Sequence, residues 1–384
     1  MLLIKNGLIH DMVKKTPYKG EILVDGGKIV AIGAKVKKPK TSKLKVYDAI
    51  GLNIYPGFID AHSHLGLDGY GMGFEGQDYN EMNDNLTPQL RAIDSFNPLD
   101  ETVEQARKAG VTCVATGQGS SNAIGGTWIA VKTYGKCVDD MIVKDPIAMK
   151  CALGENPKRV YKDKDNYARM STAGHMRNMI LKAKDYLARK EAANGDVTKM
   201  PGFDFKCEAM IPVLKKEIPL KVHAHQANDI LTAIRIAKEF DLKLTLEHVT
   251  EGHLIADELA KHKDIPMAVG PTLTHASKIE LRHKSWTTPN LLNRKGCMVS
   301  IVTDAPVIPQ QYLPLCASLA VQAGMDPYEA LKAITINPAK HVGIDSRVGS
   351  LKVGKDADIV FYDGDPFEVS SKCVKVLIDG KDVI

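Results

Sequence analysis

Eight apolar runs recur along the middle of this chain with helical spacers among them, and that rhythm constrains its fold more than any other feature. They are the run from Leu52 through Ile54, Phe58 and Ile59, then Val111-Thr-Cys-Val-Ala-Thr, Trp128-Ile-Ala-Val, Ile147-Ala-Met-Lys-Cys-Ala-Leu, Leu220-Lys-Val-His, Leu242-Lys-Leu-Thr-Leu, Pro266-Met-Ala-Val and Met298-Val-Ser-Ile-Val. Runs of this kind read as buried strands. The spacers from Leu99 to Ala109, Met170 to Ala193, Ile230 to Phe240 and Leu254 to His262 read as helices. Eight strands joined in this way predict an α/β fold, a (β/α)8 TIM-like barrel, which takes about 250 residues. The full length of 384 residues leaves room for a smaller second domain. Short strands with turns occupy both ends, including a hairpin signal at Asp25-Gly26 and a late strand at Asp358-Ile-Val-Phe. The expected organisation is a small β-sandwich domain formed by both termini, residues 1–54 with 346–384, beside a barrel over residues 55–345.

Composition narrows the partners. A formal net charge of +5, with lysines scattered over the helical spacers, argues against a nucleic-acid binder. Cys113, Cys137, Cys151, Cys207, Cys297, Cys316 and Cys373 form no Cys-x-x-Cys pair and leave one over, so they read as reduced thiols of a cytoplasmic protein. The start, Met1-Leu-Leu-Ile-Lys-Asn-Gly, lacks a signal-peptide run, and no apolar stretch is long enough to span a membrane. The expected partner is a small-molecule substrate, and a homo-oligomer is left open.

The first apolar run ends in His62-Ser63-His64. Residues two apart on a strand face the same way, so both imidazoles leave one strand end together and can share one metal ion. Other strand ends carry Glu155, His223, His248 and Asp304. In such a barrel the functional groups gather at the carboxyl ends of the strands. Any one of these residues would ordinarily be a satisfied hydrogen-bonding group. All of them at matching positions point to one or two divalent ions in nitrogen and oxygen ligands, zinc first, with manganese or iron also compatible. The strand-poor stretch from Gly69 to Asn97 follows the first strand directly and is expected to lie over the barrel mouth.

These motifs and their order resemble the amidohydrolase superfamily. The resemblance rests on Pro56-Gly-Phe-Ile-Asp-Ala-His62-Ser-His64, His223 on a fifth strand, His248 on a sixth and Thr303-Asp304 on an eighth. It extends to the ending from Ala333-Ile-Thr-Ile-Asn-Pro-Ala-Lys through Gly349-Ser-Leu-Lys-Val-Gly-Lys-Asp-Ala-Asp-Ile-Val. Within the superfamily, Gly154-Glu-Asn-Pro-Lys-Arg-Val-Tyr161 and Ala224-His225 are similar to the branch related to imidazolonepropionases and Xaa-Pro dipeptidases. The resemblance implies that His62 and His64 bind the more buried ion with Asp304, that His223 and His248 hold a second, and that a carboxylate bridges the two. Glu155 is favoured as that bridge. Lys150, on the same strand, is its rival, because many members carboxylate a lysine there. The resemblance also implies a metal-activated hydroxide, with Asp304 taking its proton and handing it to the leaving nitrogen. With the metal, His225 would polarise the scissile carbonyl, which makes Asp304, His248 and His225 the expected catalytic groups.

One departure sharpens the chemistry. Deaminases and imidazolonepropionases of the superfamily carry His-x-x-Glu on the fifth strand, whereas this chain reads His223-Ala-His-Gln226. A glutamine amide cannot transfer a proton, so hydrolysis of an amide, peptide-like or cyclic amide bond is preferred over deamination. A scaffold relative without activity is the alternative from another class, and it would be expected to have lost ligands. Ala305-Pro306 stands where relatives often carry His. Weaker signals are the glycine-rich loop Gly117 to Gly126, read as a tight strand connection or a substrate-facing loop, and His253, read as solvent-facing. Arg91, Lys158, Arg159, His275, Arg282 and His283 could meet a charged substrate end, and His10, His175, His262 and His341 read as surface residues.

Overall fold

The computed structural model describes residues 1–39 and 42–384. The chain opens with β1 (Leu2–Ile9), β2 (Tyr18–Asp25), β3 (Lys28–Gly33), β4 (Lys45–Asp48) and β5 (Asn53–Pro56). The eight predicted central strands follow as β6 (Phe58–Ser63), β7 (Val111–Thr116), β8 (Ile124–Lys132), β9 (Ile142–Ala152), β10 (Leu220–Ala224), β11 (Leu244–His248), β12 (Met267–Val269) and β13 (Val299–Ile301). β14 (Ile359–Tyr362), β15 (Cys373–Ile378) and β16 (Lys381–Asp382) complete the described strands.

Both chain ends join one hydrogen-bonded sheet, in the order β16-β15-β14-β5-β1-β2-β3 with β4 beside β1. The strands of the expected small β domain are hydrogen-bonded into one continuous path. β5 pairs with β1 on one side and β14 on the other, and so joins early and late strands. In this sheet β5 ends at Pro56. Ile4, Ile22, Ile54, Ile359, Phe361 and Leu377 bury against one another there. Lys132, at the end of β8, is buried and pairs with Asp358 at 2.6 Å and Asp356 at 3.0 Å, which ties the barrel to the late strands.

The central sheet runs β13-β12-β11-β10-β9-β8-β7-β6 and nearly closes on itself. It is mixed, and this corrects the all-parallel expectation: β8 runs antiparallel to both β7 and β9. Only residues 117–123 join β7 to β8. A parallel crossover needs a dozen residues or more, so a connection this short has to reverse the chain. At the seam, β6 and the end of β13 are tied by Asp304 N–H donating to His62 O at 3.1 Å and His64 N–H donating to Ala305 O at 2.7 Å.

Helices cover the outside. Glu101–Lys108 begins where the Asp100 carboxylate accepts from Thr102 N and ends in Arg107 and Lys108, the charge order that a helix dipole favours. Arg169–Ala192 and Ala227–Glu239 follow their predicted spacers, while the fourth spacer shortens to Gly252–Ile255 and Ala256–Leu259. Ile230, Ala233 and Ile234 of one helix pack on Val222 and Leu246 of the strands beneath. Among the described residues no helix is long and apolar enough to cross a membrane.

Candidate active site

The first strand delivers its two imidazoles by a local irregularity. The ladder between β6 and β7 carries an extra residue in β6 between Asp60 and Ser63, a bulge that resets which side chains face inward. Ala61 packs in the same cluster as Trp128, and the next ring, His62, also lies 4.6 Å from Trp128. His64 follows two residues later, with its ring 5.7 Å from that of His62. The Asp60 carboxylate anchors this segment from behind by accepting from His62 N, Thr303 and Gln310.

Backbone strain brings in the others. Glu247 and His248 are consecutive on β11, and regular alternation would send them to opposite faces. His248 has φ of +74° and Asp304 has φ of +55°, a region that costs a non-glycine residue about 1–3 kcal/mol. The turn at His248 swings its ring back toward the site, 4.6 Å from His62 and 4.3 Å from His223. Ligand atoms of His62, His248 and Asp304 lie within 4.8 Å of one another, and so do those of His223, His225 and His248.

Hydrogen bonding on the far side of each ring sets what the near side offers. Nδ1 of His62 meets the Glu247 carboxylate at 2.8 Å, Nδ1 of His64 meets Gly117 O at 2.7 Å, and Nδ1 of His248 meets Gly270 O at 2.8 Å. Carboxylates and carbonyls only accept, so each Nδ1 carries the proton and each Nε2 presents a lone pair. His223 and His225 instead place Nδ1 against the hydroxyls of Ser120 and Thr250, at 2.8 and 2.7 Å. Nε2 of His223 and of His248 has no hydrogen-bond partner although both residues are buried. Buried polar atoms are rarely left so, and these orphaned nitrogens fit a metal ion.

Electrostatics agree with that reading. Burial holds His62, His223 and His225 well below the usual imidazole range and lowers His248 to about 4, so all four are neutral at neutral pH, the form that binds metal. Burial pushes the Asp304 carboxyl up, but the His248, His64 and His62 rings facing it outweigh that and keep it ionised far into acid. Its Oδ1 lies 3.3 Å from His64 Nε2 and 3.5 Å from His62 Nε2. Lys150 is fully buried, and desolvation lowers its pKa to about 7. Its Nζ donates to His62 Nε2 at 3.3 Å.

Of the sequence-predicted residues, His62, His64, His223, His225, His248, Asp304 and Lys150 converge. The Glu155 carboxylate does not join them. β9 ends at Ala152, and Gly154, with φ of +89°, turns the chain so that Glu155 starts a short helix just beyond the rim. Its carboxylate accepts from Glu280 N at 3.3 Å, and it is Glu280 that faces the imidazoles. Glu280 sits in an irregular polar segment and carried no sequence signal. Glu247 was also missed: it is fully buried and accepts from Lys221 at 2.7 Å and His341 at 2.9 Å as well as from His62. His341, read as a surface residue, is therefore a buried member of this layer. Arg91 is paired with Asp145 at 2.7 Å, and His283 with Glu251 at 2.8 Å. Tyr79, from the stretch after the first strand, stacks on the His64 ring at 5.1 Å, as a segment over the barrel mouth should.

Comparison with known proteins adds kinship to this geometry. The amidohydrolase family profile matches residues 53–383. The crystal structure of an amidohydrolase from Thermotoga maritima MSB8 aligns over 100% of both chains with a TM-score of 0.96 and 41% identity. Amidohydrolase tasK of Hapsidospora irregularis is 29% identical over 392 residues, which is 94% of this chain but only 40% of that relative's length. Imidazolonepropionase of Geobacillus sp. (strain WCH70) is 22% identical over 371 residues, covering 90% of this chain and 84% of the relative.

Proposed function

This chain belongs to the amidohydrolase family, and from that premise we propose that it is a metal-dependent hydrolase cleaving an amide, peptide-like or cyclic-amide C–N bond of a small molecule. The observation that carries the reading is the set of three rings, His62, His64 and His248, whose Nδ1 protons are spent on acceptors, with Nε2 of His62 and His248 grouped with Asp304 and Nε2 of His64 3.3 Å from it. His62, His64, His248 and Asp304 would hold one divalent ion, and His223 with its neighbours a second. Such an ion acidifies water and polarises a carbonyl oxygen.

The remaining work falls to side chains. Asp304, 3.5 Å from His62 Nε2 and 3.3 Å from His64 Nε2, would take the proton from the attacking water and hand it to the leaving nitrogen. His225, stacked on His248 at 4.5 Å, belongs with His223 to the second group of ligand atoms. Gln226 accepts from Arg169 and offers no proton, which supports amide cleavage over ring deamination. Lys150 is a better candidate than Glu155 for joining the two ions, since it already contacts His62 and is partly unprotonated near pH 7, the form that can react with carbon dioxide. We read residues 55–345 as the catalytic unit and residues 1–54 with 346–384 as the flanking unit. We read the protein as cytoplasmic from its seven cysteines, which form no Cys-x-x-Cys pair and leave one over.

The test is metal analysis followed by a substrate screen. Protein repleted with zinc, manganese or iron should hold at least about one ion per chain and hydrolyse a member of a panel of dipeptides, N-acyl amino acids and cyclic amides. Wild-type protein that takes up no ion from any of these metals rules the reading out.

A further inference from the structure

Glu280 is fully buried, in a short turn between the seventh and eighth barrel strands, and no motif of the chain marks it. Its Oε2 accepts from Glu155 N at 3.0 Å. Its Oε1 has the Lys278 ammonium beside it at 2.6 Å but no aligned hydrogen bond, and it points between two imidazoles. The distances are 3.5 Å to His223 Nε2 and 3.7 Å to His225 Nε2. These are too long for hydrogen bonds, which run about 2.7–3.2 Å. They are close to the edge of a coordination tetrahedron, where ligands about 2.0–2.2 Å from one ion stand about 3.3–3.6 Å apart. Asp304 keeps the same spacing from its own pair of rings, 3.5 Å from His62 Nε2 and 3.3 Å from His64 Nε2. The two carboxylates thus stand in matching relation to two His-x-His pairs, one at the end of β6 and one at the end of β10.

We propose that Glu280 is a metal ligand, and that with His223 and His225 it holds an ion separate from the one at His62, His64 and Asp304. The surroundings favour an anion there. Gly154 leaves the room: a Cβ at that position would stand 2.8 Å from Glu280 Oε2 and displace the carboxylate. Lys278 pairs with the buried charge and, being partly exposed, can withdraw when an ion takes over that role. Ser120 and Thr250 hold the outer nitrogens of the two rings and leave Nε2 of each toward Glu280. The inference rests on the metal-dependent reading above but concerns where the second ion sits.

The experiment is cobalt titration of metal-stripped full-length protein, followed by bound-metal analysis and the visible ligand-field spectrum, with no turnover required. Wild type should bind two ions with two separable spectra. Glu280→Gln should lose the second by more than about 100-fold in Kd, beyond the cost of losing an outer partner of a ligand, and keep the first. His64→Ala should do the reverse. Lys278→Met, which frees the carboxylate, should tighten the second ion. If Glu280→Gln keeps both ions within about 100-fold of wild-type affinity, or if Lys278→Met leaves the second Kd unchanged, the proposal is overturned. Wild type that binds no cobalt, zinc, manganese or iron defeats the metal-dependent reading instead, so the two failures are distinct.

Discussion

The two sides of the imidazole cluster are built from different material. His62 and His64 stand on one strand with Asp304 across the seam, and their outer nitrogens face a carboxylate and a carbonyl, which can only accept. His223 and His225 face two hydroxyls, which can donate or accept. One side is therefore fixed in its protonation pattern before anything binds. The other can exchange its pattern as charge arrives. On the proposal of an ion at each half, the rigid half should bind its ion with little change in protonation and the adaptable half should not.

The sharpest way to break this comparison is at Asp304. Asp304→Asn should lower kcat on any accepted substrate by about 10²–10⁴-fold, with circular dichroism unchanged. Full turnover by that variant removes Asp304 from proton transfer. Next comes Glu247→Gln, which strikes the fixed half from beneath. Lys221 and His341 would keep only a neutral amide in a fully buried layer, and urea melts should show a loss of about 3–5 kcal/mol. Ion affinity at the His62 side should fall about 10–100-fold, as for other outer partners of metal ligands. An equal loss at the His223 side would mean that the halves are not independent.

Acid gives the third test, on metal-stripped protein. His248 has a folded pKa of about 4 against an ordinary 6.5, so between those values the unfolded chain binds a proton that the folded chain refuses. More protons on the unfolded state means that stability rises with pH through this window and is lost on acidification. The loss from His248 alone is on the order of 3 kcal/mol over the whole window, of which about 2 kcal/mol falls between pH 7 and pH 5, and His62, His223 and His225 act in the same direction. Equilibrium melts at pH 7 and pH 5 measure it, and unchanged stability would show that these rings are not buried neutral. The smallest expected effect is at the adaptable half. Ser120→Ala should weaken the His223-side ion by about 10-fold and leave the other untouched, as read by calorimetric titration.

How far the sequence reaches also divides along this line. The eight runs located every barrel strand, because burial on both faces writes itself as continuous apolar sequence. Nothing in such a run states its direction, and only the shortness of residues 117–123 could have revealed that β8 is reversed. His62, His64, His223 and Asp304 were legible as strand-end polar residues. Glu247 was not, because alternation sends it away from His248, and the positive φ that brings His248 back is invisible in the sequence. Glu280 lies in a segment with no period of any kind, and only the folded path of that loop brings it against β10. His341 ends the helix Ile336–His341 and reads as polar and exposed, yet that helix delivers it to Glu247 in the interior.

The reversal of β8 has a mechanical meaning. Because the chain turns back at the mouth, one short tether carries both Gly117, which grips His64, and Ser120, which grips His223. Gly117 is held against the Trp128 indole so closely that a Cβ there would stand 2.2 Å from it. The tether therefore works as a calliper whose jaws rest on opposite halves of the site. Lengthening it by a single residue should change the gap between the halves without touching any residue that lines them.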